Sequence, residues 1–92
     1  METNVIRKNL YFPDMQISLL WGDTIPCNNI VAFDKKGKEI WRINDILKFD
    51  KILEFTDIKK VDDNTMEAYY SPDMIFTVNV SRRKLMKTEY IR

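Results

Sequence analysis

The chain has 92 residues, 45% hydrophobic and 12% aromatic, with two glycines and three prolines. That composition suits one small packed domain over 1–92 and excludes a disordered or linker-rich chain. Fifteen basic residues against fourteen acidic ones leave a net charge of +1, so no whole-molecule field draws the chain to nucleic acid or membrane.

Val5–Phe12 is apolar at both ends around Arg7-Lys8-Asn9 and reads as a first strand, broken by Pro13-Asp14. Met15–Trp21 alternates, placing Met15, Ile17, Leu19 and Trp21 on one face. Residues Gly22–Asn29 form a loop, because turn formers dominate and Pro26 is barred from a central strand. Asn29–Ile43 is a hairpin: two β-branched and aromatic runs flank Asp34-Lys35-Lys36-Gly37, where Gly37 can take the positive φ of a tight loop. Alternation leaves the face of Trp41 open, since Glu39 and Ile43 share one side with it and Ile40 and Arg42 share the other.

The stretch 44–50 admits one helical turn, capped by Asn44 or Asp45 with Ile46, Leu47 and Phe49 tucked inward, or else a bulged strand or wide loop. Strand patterning returns over Ile52–Val61, followed by an Asp62-Asp63-Asn64-Thr65 turn, a short strand Met66–Tyr70 and a Ser71-Pro72-Asp73 turn. Met74–Val80 alternates, and its more apolar set, Met74, Phe76, Val78 and Val80, is assigned inward. Ser81–Lys84 turns, and Leu85–Ile91 is the last strand. The expectation is all-β: an antiparallel meander of seven or eight short strands forming a half-barrel or small sandwich, with at most one helical turn near 44–50.

Catalytic chemistry is sparse. The absence of histidine removes Ser-His and Cys-His machinery and imidazole metal sites, and one cysteine supplies neither a disulfide nor a zinc site. Gly22 and Gly37 stand alone, so no phosphate-cradling loop exists. The reading is non-enzymatic, with no cofactor and no metal. A lone Cys27 and an N-terminus without an apolar signal core suit a cytoplasmic protein, and Met1 suits a complete small gene product.

Charge is split along the chain. Residues 50–73 carry seven acids against three lysines, and 81–92 carry five basic residues against Glu89. Consecutive Tyr69 and Tyr70 must point to opposite faces, so one of them faces outward among carboxylates. Asp57, Asp62, Asp63, Glu67, Tyr69, Tyr70 and Asp73 are therefore the candidate partner-binding residues, suited to a protein with a basic surface. The alternative is a small nucleic-acid-binding β-barrel that uses Arg82, Arg83, Lys84 and Lys87 with nearby Tyr90.

Two resemblances accompany these residues. Asn29–Ile43, with its apolar-Ala-apolar-Asp-x-x-Gly-x-x-x-Trp lettering, resembles one hairpin of a quinoprotein-type β-propeller blade. It implies hairpin geometry and nothing of propeller function, since 92 residues are too few to close a propeller. In size, β content and missing chemistry, the whole chain resembles small single-domain bacterial immunity proteins. That resemblance implies a cytoplasmic inhibitor that neutralises a cognate toxin, a nuclease being one possibility, by masking it.

Overall fold

A computed structural model describes residues 5–21, 29–47, 55–70 and 74–90. Among the described residues there are eight strands: β1 (Val5–Phe12), β2 (Met15–Trp21), β3 (Ile30–Phe33), β4 (Glu39–Arg42), β5 (Phe55–Asp62), β6 (Thr65–Tyr70), β7 (Met74–Asn79) and β8 (Lys84–Tyr90). One helix, α1 (Ile43–Leu47), follows β4. The strands form two four-stranded antiparallel sheets in chain order, β1-β2-β3-β4 and β5-β6-β7-β8, so the fold is the expected all-β meander. The Ser71-Pro72-Asp73 turn, Cys27 and Phe49 lie outside the described residues. No helix among the described residues is long and apolar enough to cross a membrane.

The inner faces of the two sheets share one core. Ile17, Leu19, Ile30, Ala32 and Trp41 come from the first sheet, Ile43 and Leu47 from α1, and Phe55, Ile58, Met66, Ala68, Phe76 and Val78 from the second. Phe55 stands at its centre, fully buried, with its ring edge-on to Phe76 at 6.0 Å and to Tyr70 at 6.3 Å. Removing a ring of this kind costs about 3–5 kcal/mol in a packed interior.

Local chemistry sets the connections. In the β3–β4 loop, Asp34 Oδ1 accepts from the Lys36 and Lys38 N–H groups, both at 2.9 Å, and Gly37 takes φ +84°. A bulge between Ala32 and Phe33 makes Ile40 the extra residue on β4. This rephasing turns Trp41 inward, 2% exposed, and leaves Ile40 packed on the margin of the core. Asp45 caps α1 by reaching back to the Arg42 N–H at 3.0 Å, and Leu47 is buried.

A buried polar residue joins the sheets. Asn29, immediately before β3, is 1% exposed. Its Nδ2 donates to the carbonyls of Leu20 (3.1 Å) and Phe55 (2.8 Å), and its Oδ1 accepts from the Phe55 N–H (2.9 Å). The side-chain amide thus pairs with the start of β5 as a neighbouring strand would. Further along the same corner, Lys60 Nζ donates to the Tyr11 carbonyl at 2.8 Å and Lys8 pairs with Asp57 at 3.0 Å.

Candidate functional site

The outer face of the second sheet follows from register. Asp57 pairs with Tyr69, which pairs with Ile75, which pairs with Glu89; the next row is Lys59, Glu67, Thr77 and Lys87. Cross-strand partners share a face, so these two rows form a patch opposite the core. Phe55 and Asp57, two residues apart, would share a side in a regular strand. A bulge between them puts Phe55 inward and Asp57 outward.

Tyr69 is the centre of the patch. It is half-buried, its hydroxyl donates to Glu67 Oε1 at 2.8 Å, and Asp57 and Glu89 lie close enough to act on it electrostatically. The Glu67 hydrogen bond first, then partial burial and the charges of Glu67, Asp57 and Glu89, hold the phenol pKa above its usual 10.0. The hydroxyl is therefore a fixed donor across the physiological range.

Each carboxylate has a lysine beside it. Asp57 pairs with Lys8 from β1, Glu89 with Lys87 at 3.4 Å, and Glu67 faces Lys59 across the strands. Partial burial pushes the Asp57 carboxyl up. The Lys8 ammonium, the Ile58 N–H and the charge of Arg7 outweigh it and leave the pKa below the usual 3.8. The Lys8–Asp57 and Lys87–Glu89 pairs are exposed, so each holds its carboxylate in place only weakly and is exchangeable for a better donor.

The remaining candidates separate. Asp62 Oδ1 accepts from the Asn64 N–H at 2.8 Å and holds the β5–β6 turn; that bond and one to the Thr65 side chain keep its pKa low. Asp63 pairs with Lys60 at 3.4 Å in the same turn. Tyr70 faces inward against Phe55, and Asp73 lies outside the described residues. Register thus gathers Asp57, Glu67 and Tyr69 and adds Glu89, which sequence reasoning missed because only the β7–β8 pairing brings it there.

Among the basic residues, Arg82, Arg83 and Lys84 are exposed around the β7–β8 turn, with Arg83 at φ 54°. Lys87 shares the outer face with Thr77, whereas Tyr90 pairs with Met74 on the inner side, so the aromatic and that cation point opposite ways. Trp21 is 41% exposed under the Arg7 guanidinium at 5.1 Å. A cleft of about 240 Å3 lies near the β1–β2 turn, lined by Tyr11, Phe12, Pro13, Met15, Gln16, Asp34 and Lys35. No group of three or more His, Cys, Asp or Glu residues among the described ones is placed to hold a metal. Compared with known proteins, the chain matches no family model, no curated protein and no solved structure at a significant level.

Proposed function

We propose that the chain is a non-enzymatic protein-binding domain, most concretely an immunity-type inhibitor that masks a cognate bacterial toxin in the cytoplasm. The observation that carries this reading is Tyr69: an oriented phenol on an open sheet face, hydrogen-bonded to Glu67 and flanked by Asp57 and Glu89. A rigid aromatic ringed by carboxylates suits an arginine-bearing surface, with the ring supplying contact area and the acids supplying register. Guanidinium groups of the partner exchange with Lys8 and Lys87 at the rim, since a planar bidentate donor matches a carboxylate better than an ammonium does. Where the toxin is a nuclease, the same carboxylates stand in for the phosphates of its substrate.

Affinity capture from the native host with three baits tests the reading: wild type, Tyr69→Ala and Glu67→Lys. The expected result is one protein with a basic surface that co-purifies with wild type, is lost with both variants, and is toxic unless the chain is co-expressed. A partner retained equally by all three baits contradicts the assignment of this face. Recovery of nucleic acid, lost on neutralising Arg82, Arg83, Lys84 and Lys87, contradicts the class.

A further inference from the structure

Strand β8 ends the second sheet, and among the described residues it pairs with β7 alone. Several of its side chains are open: Met86 is 59% and Tyr90 71% exposed, Lys87 is largely in solvent and Glu89 is half-exposed. Met86 is the extra residue where the register shifts between Thr77 and Val78, so it has no partner on β7. An edge with two large apolar side chains, beside α1 and with backbone groups that pair with no further strand among the described residues, is a template for another strand.

We propose that this edge is the self-association surface of the protein, with β8 pairing antiparallel to β8 of a second copy about a two-fold axis at Thr88. The sequence of the strand selects that register. Lys87 then stands opposite the partner's Glu89, and Glu89 opposite the partner's Lys87. Met86 stands opposite the partner's Tyr90, and Tyr90 opposite the partner's Met86. Alternation either side of Thr88, which pairs with the inward Phe76, keeps the charged pairs on the outer face, and the exposed Met86 and Tyr90 side chains meet along the edge. An axis at Lys87 sets that lysine against its own copy, an axis at Glu89 does the same with the carboxylate, and an axis between Lys87 and Thr88 sets Met86 against Glu89. Of these four axes, the Thr88 axis alone satisfies charge and hydrophobicity together.

The existing Lys87–Glu89 pair, 3.4 Å apart within one strand, becomes half of a square of four alternating charges. The result is a continuous eight-stranded sheet. Because the axis is perpendicular to the sheet, both Tyr69 clusters lie on the same side, making the binding face bivalent. The surface is isologous, as a two-fold interface requires. It does not depend on the inhibitor reading, since its readout is mass alone.

Sedimentation equilibrium of the full chain at high micromolar concentration is the test, with Lys87→Glu and Glu89→Lys as variants. Wild type sediments as a dimer, and each single variant loses about tenfold in association constant, because two attractive cross-strand pairs become repulsive. An equimolar mixture of the two variants regains the dimer, as does the doubly exchanged chain. Thr88→Cys in a Cys27→Ser background, mildly oxidised, gives a disulfide-linked dimer, while Thr56→Cys on the far edge of the sheet does not. A wild type that stays monomeric overturns the proposal. So does a dimer indifferent to both charge variants, or one that Thr88→Cys fails to link.

Discussion

The two sheets have the same four-stranded topology and opposite outer surfaces. On the first, Ser18 and Val31 point away from the shared core and yet are completely buried. Ser18 belongs to a closed polar network: its hydroxyl donates to Asn9 Oδ1 at 2.6 Å, and Gln16 Nε2 reaches both Asn9 Oδ1 and Ser18 Oγ. On the second sheet the corresponding surface is open, with Glu67, Tyr69, Ile75 and Thr77 all half-exposed. The first sheet is closed only at the middle of its outer face, since Asn9, Gln16, Phe33 and Arg42 around it are half-exposed and Tyr11 is 64% exposed. A sheet whose outer polar groups are oriented but still reachable by solvent is where a partner can dock. Both sheets contribute to the core, and on the proposed reading the recognition face belongs to the second.

The most severe way to break this arrangement is to cut the tie between the halves. Asn29→Ala leaves the Phe55 N–H and C=O without their side-chain partner in a buried setting, so about 3–5 kcal/mol of unfolding free energy is lost, measured by urea denaturation. Ser18→Ala acts only on the closed face: Asn9 Oδ1 loses its shortest donor, and stability falls by about 1–2 kcal/mol with no effect on partner binding. The turns sharpen the contrast further. Gly37→Ala costs about 1 kcal/mol although its Cβ meets no atom, because φ +84° is strained for any side chain. Arg83→Gly at φ 54° relieves strain of the same kind and raises stability by about 0.5 kcal/mol, both read as shifts in denaturation midpoint.

The smallest effect belongs to the open face. A phenol whose pKa is raised on folding contributes stability that is complete below the unfolded value and disappears as pH rises through the folded one. Tyr69 therefore contributes fully below about pH 10, and its contribution is lost above that value as the phenolate forms. Ultraviolet titration of wild type against Tyr69→Phe checks this, the difference between the two curves being the raised Tyr69 titration. Asp57 runs the other way. Its depressed pKa contributes stability present above pH 3.8 and lost as pH falls through the folded value, an effect that Lys8→Met diminishes while the Ile58 N–H and Arg7 remain.

Much of the scaffold was legible because local pattern and tertiary burial agree. Pro13-Asp14 and the alternation over Met15–Trp21 bound β1 and β2 correctly, and the inward set of Met74, Phe76 and Val78 packs as its apolarity requires. Legibility failed wherever a bulge shifts the two-residue period. The extra residue Ile40 decides the face of Trp41, and the irregularity beside Thr56 separates Phe55 from Asp57. No composition signal marks either. Asn29 reads as an ordinary loop residue, since its partners Leu20 and Phe55 are distant in sequence. For the candidate site, the tyrosine pair and Glu67 were visible as residues. The division of Tyr69 outward and Tyr70 inward, the commitment of Asp62 to its own turn, and the arrival of Glu89 all depend on sheet register.

The central claim is that recognition belongs to the outer face of the second sheet, and titration calorimetry of the captured partner against two variants tests it most directly. Tyr69→Ala should weaken binding by about thirtyfold, the loss expected of a central aromatic anchor, while Gln16→Ala on the first sheet should bind as wild type does. Undiminished binding by Tyr69→Ala, with affinity lost instead in Gln16→Ala, would contradict the account.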